Sequence, residues 1–196
     1  MNYQALAELL FPDVTGTPET LEQRYPERNL PEQAIVTRIG PSPTGFVHLG
    51  NLYNAVIGER LAHQSEGVFY LRIEDTDEKR KVEGAVETLI SAMKYFGVEF
   101  DEGAETGGNY APYYQRQRKE VYHIMAKYLT QQGKTYPCFL TAEEIDAIRE
   151  QQTANKENPG IYGKYAEKNR NLTLGDRDNN MFMGTQEDYK NTDGLV

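Results

Sequence analysis

Two prolines, three glycines, a serine, a threonine and a histidine are compressed into Gly40-Pro41-Ser42-Pro43-Thr44-Gly45-Phe46-Val47-His48-Leu49-Gly50-Asn51. These types at this spacing suit the holding of a phosphate. Pro41 and Pro43 fix the backbone, and Gly40, Gly45 and Gly50 let it turn or approach a ligand closely. The free N–H groups where a helix begins attract negative charge, and His48 adds a donor that carries a proton or a hydrogen bond near neutral pH. Singly, each residue is ordinary turn or cap chemistry; packing alone does not require them together.

Arg38, just before this loop, can offer a bidentate fork to a carboxylate. Glu74, in the later block Leu71-Arg72-Ile73-Glu74-Asp75-Thr76-Asp77, can take an ammonium. The two can equally pair with each other across neighbouring strand ends, and the residues alone leave both readings open.

These groups need elements to position them. Ala34 to Ile39 reads as a first strand, the residues after Leu49 as a helix with Val56, Arg60 and Leu61 spaced along it, and Val68 to Ile73 as a second strand. Val82, Val86, Leu89, Ile90, Met93 and Phe96 recur at helical steps, with Gly97 where the helix should end. Strand, helix, strand, helix implies a parallel sheet with right-handed crossovers, whose ligands bind beyond the strand C-termini, where both blocks lie.

Gly103 to Pro112 is expected as a loop. Val121, Ile124, Met125, Tyr128 and Leu129 share one face of a further helix, and Thr141 with Glu144 forms a capping box opening another toward Gln152. Asn155 to Gly163 is turn-rich. At the start, Leu6, Leu9 and Leu10 fit a helical face, after which Pro12, Gly16, Pro18, Pro26 and Pro31 suggest a linker. From about Thr173 the periodicity fades into Asp, Asn and Gly, the composition of a disordered tail. Tyr113, Tyr114, Tyr122 and Tyr128 could stack on bases, but an amphipathic helix uses such residues for packing, and no site is assigned to them.

The chain has 196 residues, 38% of them hydrophobic, with a mean hydropathy of -0.71. No apolar run approaches the ~18 residues of a membrane span, and no basic stretch precedes an apolar N-terminal core, so cytoplasmic residence is expected. A net charge of -9 argues against nonspecific nucleic-acid binding. Any RNA partner must meet local clusters such as Lys79-Arg80-Lys81 or Arg116, Arg118 and Lys119, each equally readable as a solvated helix face. Cys138 is the sole cysteine, which excludes an internal disulfide and a multi-thiolate zinc site.

The loop with His48-Leu49-Gly50-Asn51, followed by Arg72-Ile73-Glu74-Asp75-Thr76-Asp77, resembles two ordered motifs of the class I glutamyl-tRNA synthetases: a His-Ile-Gly-His-type tetrad and an Arg-Ile-Glu-Asp-Thr-Asp block. The resemblance covers about residues 34 to 172. It implies an α/β fold, the N-terminal part of a Rossmann-like parallel-sheet nucleotide-binding fold with an inserted α/β acceptor-binding subdomain. The expected divisions are an N-terminal helix and linker over 1–33, a Rossmann-like catalytic half over 34–112, the start of the inserted acceptor-end-binding subdomain over 113–172, and the tail over 173–196.

The resemblance further implies a glutamate–tRNA ligase activity, in which glutamate and ATP give glutamyl-adenylate and the glutamyl group passes to tRNA(Glu). Ser42, Thr44, Gly45, His48, Gly50 and Asn51 would surround ATP and its accompanying Mg2+, His48 meeting the phosphates as the catalytic group. Arg38, Ser42 and Glu74 would hold L-glutamate, and Thr76, Asp77 and Arg80 would lie near the 3′ end of tRNA. Asn51 stands where the tetrad commonly has a second histidine. A monomer is expected.

Some relatives carry a zinc knuckle after the second motif, beginning like Tyr136-Pro137-Cys138-Phe139-Leu140. Leu140, Tyr165 and Glu167 stand at the other ligand positions here, so no structural zinc is expected and Cys138 is expected as a buried apolar filler. The second ATP loop of the Lys-Met-Ser-Lys-Ser type and a helical anticodon-binding region do not occur in the sequence, so the isolated chain is expected to bind weakly and not to charge tRNA at a useful rate. The nearest alternative is the shorter relative that glutamylates a queuosine base in tRNA(Asp); another is a truncated, non-catalytic nucleotide- or RNA-binding module.

Overall fold

A computed structural model describes residues 2–45 and 47–170; the expected tail lies outside the described residues. In chain order the elements are α1 (Tyr3–Leu10), α2 (Pro18–Arg24), β1 (Val36–Ile39), α3 (Leu49–Gln64), β2 (Val68–Leu71), α4 (Ala85–Tyr95), β3 (Glu102–Gly103), α5 (Lys119–Gln131), α6 (Ala142–Ala154) and α7 (Glu167–Arg170). Among the described residues, one compact unit spans Gly16–His123, and another joins residues 2–15 to residues 124–170.

In the Gly16–His123 unit, β1, β2 and β3 form a parallel sheet in that order, with Arg38 opposite Tyr70 and Leu71 opposite both Ile39 and Gly103. The α/β class and the parallel sheet are as expected. Regular pairing stops at Leu71, but Arg72 N–H still donates to the Ile39 carbonyl at 3.1 Å, and Ile73 N–H to that of Tyr113 at 2.9 Å. Ile39, Phe69, Leu71, Ile73, Leu89, Met93 and Val98 make the apolar core.

Helix α3 meets the sheet mainly through small residues, with Leu52 and Val56 packed beside them. Ala55, Glu59 and Ala62 are buried, whereas Leu61 is 46% exposed. Small residues let the helix lie close. Gly58 sits against the Phe69 ring, where a Cβ would come within 3.1 Å of the ring carbon Cε2, and its carbonyl accepts the Thr37 hydroxyl at 2.7 Å.

Two expectations need correction. The stretch between Pro12 and Pro31 is more than a linker, because Thr17 and Thr20 cap each other's N–H groups and Pro18 opens α2, where a proline needs no hydrogen donor. The loop expected over Gly103 to Pro112 is present except that Gly103 itself belongs, with Glu102, to the edge strand β3, too short to show any period. The Glu102 carboxylate is held there by Arg28, through Oε1 and, at 2.8 Å, Oε2, and by the Tyr113 hydroxyl at 2.5 Å. Helix α4 ends as expected, with Gly97 at φ 72°, a left-handed conformation that glycine adopts without steric penalty.

In the other unit α1 turns Leu6 and Ala7 inward and leaves Leu9 exposed. Lys127 ties Glu8 and the Val14 carbonyl together at 2.9 and 2.8 Å. The capping box of α6 forms as expected, Thr141 and Glu144 each bonding the other's backbone N–H. Buried Gln152 closes the following turn by bonding both the N–H and the carbonyl of Gly160. Cys138 is half-buried rather than buried, and its sulfur accepts a long contact of 3.7 Å from buried Asn169, whose amide oxygen takes the Phe139 N–H. Neighbouring amide donors make this more than an apolar filler. Among the described residues no group of three or more His, Cys, Asp or Glu could hold a metal ion, and no helix is long and apolar enough to cross a membrane.

Candidate functional site

Because β1, α3 and β2 form a parallel crossover, the C-terminal ends of both strands and the N-terminus of α3 lie at one edge of the sheet. The loop leaving β1 is stitched to the segment after β2: Glu74 N–H donates to the Pro41 carbonyl at 2.9 Å and Val82 N–H to the Pro43 carbonyl at 2.8 Å. Pro43 is buried, Thr44 half-buried, and Ser42, Gly45 and His48 exposed. The prolines thus anchor the loop while the polar residues face outward.

His48 occupies the N-cap of α3 with extended backbone. Asn51 accepts the His48 N–H through Oδ1 at 3.3 Å, the reciprocal half of a capping box, which gives Asn51 a physical role where a second histidine is common. The His48 ring folds over Gly50, where a Cβ would stand 3.1 Å from Cε1 and Nδ1. The unpaired N–H groups of the first helical turn give this edge a partial positive charge.

Arg38 and Glu74 meet. Arg38 Nη1 lies 2.6 Å from Glu74 Oε1, each side chain about a third exposed (35% and 32%). Arg72 Nη2 reaches the same oxygen at 3.2 Å. Burial pushes the Glu74 carboxyl upward, but the two guanidinium groups outweigh it and hold the group below the ordinary carboxylate value. The pair crosses directly over Gly40: a Cβ there would overlap the Arg38 guanidinium and stand 2.6 Å from Glu74 Oε1.

The remaining predicted positions come after Glu74. Thr76 is exposed. Asp77 accepts the Arg80 backbone N–H at 3.1 Å and pairs with its Nε at 2.5 Å, and the Arg80 hydrogen bond holds Asp77 below its ordinary value. Of the second basic cluster, Arg116 pairs with Glu78, and Arg118 turns inward to the carbonyls of Tyr110 and Pro112 at 3.0 and 2.9 Å. Tyr113 and Tyr114 precede α5, and Tyr113 is 4% exposed; burial and the adjoining Glu102 push its hydroxyl up to about 12.

Sequence reasoning passed over Arg72 and the steric demand at Gly40. The signal for Arg72 was its i, i+2 spacing from Glu74, which in extended chain puts both side chains on one side. It also passed over His63, whose ring bridges buried Glu59 (Nδ1, 3.1 Å) and Asp101 (Nε2, 3.0 Å).

A parallel sheet with a polar loop and a helix N-terminus at its C-terminal edge defines an open α/β fold of the Rossmann-like kind, in which ligands bind beyond the strand C-termini. Residues 34–188 match the family described as tRNA synthetases class I (E and Q), catalytic domain, and the chain belongs to that family. It is 57% identical over 179 residues to a glutamate–tRNA ligase of Acetivibrio thermocellus, covering 89% of this chain and 32% of that protein. A glutamate–tRNA ligase of Clostridium perfringens strain 13 is 52% identical over 178 residues, covering 88% and 32%. The crystal structure of a glutamate tRNA ligase from Elizabethkingia meningosepticum in complex with its amino acid superposes with a TM-score of 0.66 at 33% identity, over 76% of this chain and 30% of that one. The chain thus spans about a third of the length of the curated relatives it matches.

Proposed function

We propose that this chain forms the ATP- and glutamate-binding part of a glutamate–tRNA ligase. The observation that carries the reading is the meeting of Arg38 and Glu74 at the mouth of the loop that enters α3, in a chain whose relatives are glutamate–tRNA ligases. An amino acid with a side-chain carboxylate presents the charges these two residues can bind: a carboxylate for the Arg38 fork, aided by the Ser42 hydroxyl, and an ammonium for Glu74.

ATP lies along Ser42, Thr44, Gly45, His48, Gly50 and Asn51, its phosphates, with the accompanying Mg2+, at the start of α3. With the side-chain carboxylate on Arg38, the α-carboxylate of glutamate attacks the α-phosphorus; pyrophosphate leaves and glutamyl-adenylate remains. The protein's part is to align two anions and to stabilise charge on the phosphorus oxygens, through the loop N–H groups and His48. The glutamyl group then passes to the 3′ end of tRNA(Glu), near Thr76, Asp77 and Arg80. The chain works as a cytoplasmic monomer.

Titration of the 15N-labelled chain followed by NMR tests this. ATP is expected to shift amides from Gly45 to Asn51, and L-glutamate those flanking Arg38 and Glu74, with glutamine weaker. Shifts confined to other regions, or equal responses to glutamate and glutamine, would contradict it.

A further inference from the structure

We propose that Arg72 is a positioning residue that keeps Glu74 anionic and aimed once Arg38 has turned to a substrate carboxylate. The inference rests on the reading of Arg38 and Glu74 as amino-acid ligands. In the arrangement seen, those two neutralise each other through a single carboxylate oxygen. A zwitterionic substrate must separate them, its carboxylate taking Arg38 and its ammonium taking Glu74. At that moment Glu74, partly withdrawn from water, loses its shorter guanidinium contact, and a carboxyl group that gains a proton no longer holds an ammonium.

Arg72 is placed to prevent this. It lies two residues before Glu74 on the same extended segment, bonds the same Oε1 through Nη2 at 3.2 Å, and is fixed to β1 by its backbone N–H on the Ile39 carbonyl. Its Nε is buried and, among the described residues, is the one buried side-chain nitrogen or oxygen without a hydrogen-bond partner. The guanidinium as a whole is about a quarter exposed, but its buried, unpaired Nε–H is kept against a desolvation penalty, which fits a cation held for a neighbour.

The charged side chains acting on Glu74 are Arg38 from β1 and Arg72 from its own segment, with desolvation opposing both; Asp75 beside it is engaged with the Arg116 N–H. Arg38, Glu74 and Arg72 together carry one net positive charge, the complement of a dicarboxylic amino acid with one net negative charge.

The test needs no turnover. The side-chain carboxyl of Glu74 is followed by 13C NMR in the full chain, its signal assigned by loss in E74Q, across R38Q, R72Q, R72K and the double variant R38Q/R72Q. In R38Q, Glu74 is expected to titrate still below the ordinary carboxylate range, and in R38Q/R72Q to move up by about one pH unit, a tenfold change in proton affinity. R72K is expected to keep the wild-type direction. Equal titration in R38Q and R38Q/R72Q would overturn the proposal. Methyl spectra report whether R38Q keeps its packing; should it not, R38M and R38M/R72Q take the place of R38Q and R38Q/R72Q, and equal Glu74 titration in that pair overturns the proposal. A parallel L-glutamate titration separates the two ideas. Normal Glu74 behaviour without glutamate-specific shifts removes the functional reading alone, whereas glutamate binding equally tight in R72Q at every pH removes the role of Arg72 alone.

Discussion

Arg38, at the end of β1, and Glu74, beyond the end of β2, are each other's counter-ion at 2.6 Å, across the one loop position, Gly40, where a Cβ would strike both. Being about a third exposed, the pair contributes little to folding, ~0–1 kcal/mol as at other solvent-screened ion pairs. Arg38→Gln and Glu74→Gln are therefore expected to melt close to wild type while each weakens L-glutamate binding at least about tenfold, the size of one lost charge-assisted bond. Calorimetric titration beside a thermal melt checks both halves; a large drop in melting temperature with binding intact would reverse the interpretation.

The pair also sets an acid limit on binding. Because Glu74 is held below its ordinary carboxylate value, its favourable contribution is present above the unfolded value and lost as pH falls through the lowered folded value. Glutamate affinity is expected to be level through neutral pH and to fall only in acid, below the ordinary carboxylate range. Calorimetry across that range checks it.

Gly40→Ala adds only a methyl group, yet it forces apart a guanidinium and a carboxylate. The atoms in the way are the ends of two flexible, partly exposed side chains that can swing aside, so the stability cost is bounded by the pair itself, ~0–1 kcal/mol. The expected result is weakened glutamate binding with a denaturation midpoint close to wild type, whereas Gly45→Ala, where a Cβ meets nothing within 4 Å, is expected to leave the Arg38–Glu74 arrangement untouched.

His63 ties the end of α3 to Asp101 and to buried Glu59. Burial pulls its proton affinity down, but the two carboxylates raise it more, so its folded value lies above the ordinary histidine value. Its contribution is then fully present below about pH 6.5 and lost as pH rises through the raised folded value. Urea denaturation is expected to show falling stability from about pH 6 to pH 8, and His63→Gln to flatten that slope by the part His63 supplies.

Tyr113 donates to Glu102 from a buried position. Tyr113→Phe leaves Glu102 with Arg28 as its remaining partner and is expected to cost about 1–2 kcal/mol. In the wild type the Tyr113 hydroxyl, pushed up to about 12, is expected to stay neutral in an ultraviolet titration after the exposed tyrosines have ionised.

What the sequence made legible was what composition encodes locally. The β1–loop–α3 junction is written in prolines, glycines and a capping residue and stands where the spacing placed it; α4 is written in Val86, Leu89, Ile90 and Met93 and closed by Gly97, whereas Val82 lies before the helix and, like Phe96 at its end, is exposed. Strand β3 was illegible because two residues carry no alternation; Glu102 is held there by Arg28, 74 residues away in the chain, and by the nearer Tyr113. The inward face of α3 was not legible because Ala55, Gly58 and Ala62 pack by being small, while the larger Leu61 stays at the surface. At the site, Arg38 and Glu74 were nameable from the two motifs, but whether they pair or stand apart depends on strand register. Arg72 became visible only once Glu74 had a position.

The most direct measurement is a crystal structure of this chain with a sulfamoyl analogue of glutamyl-adenylate. The analogue's ammonium is expected on Glu74, its carboxylate on Arg38, and the sulfamoyl group between His48 and the first N–H groups of α3. An analogue bound elsewhere, or one seated here while Arg38 and Glu74 remain paired to each other, would contradict the assignment.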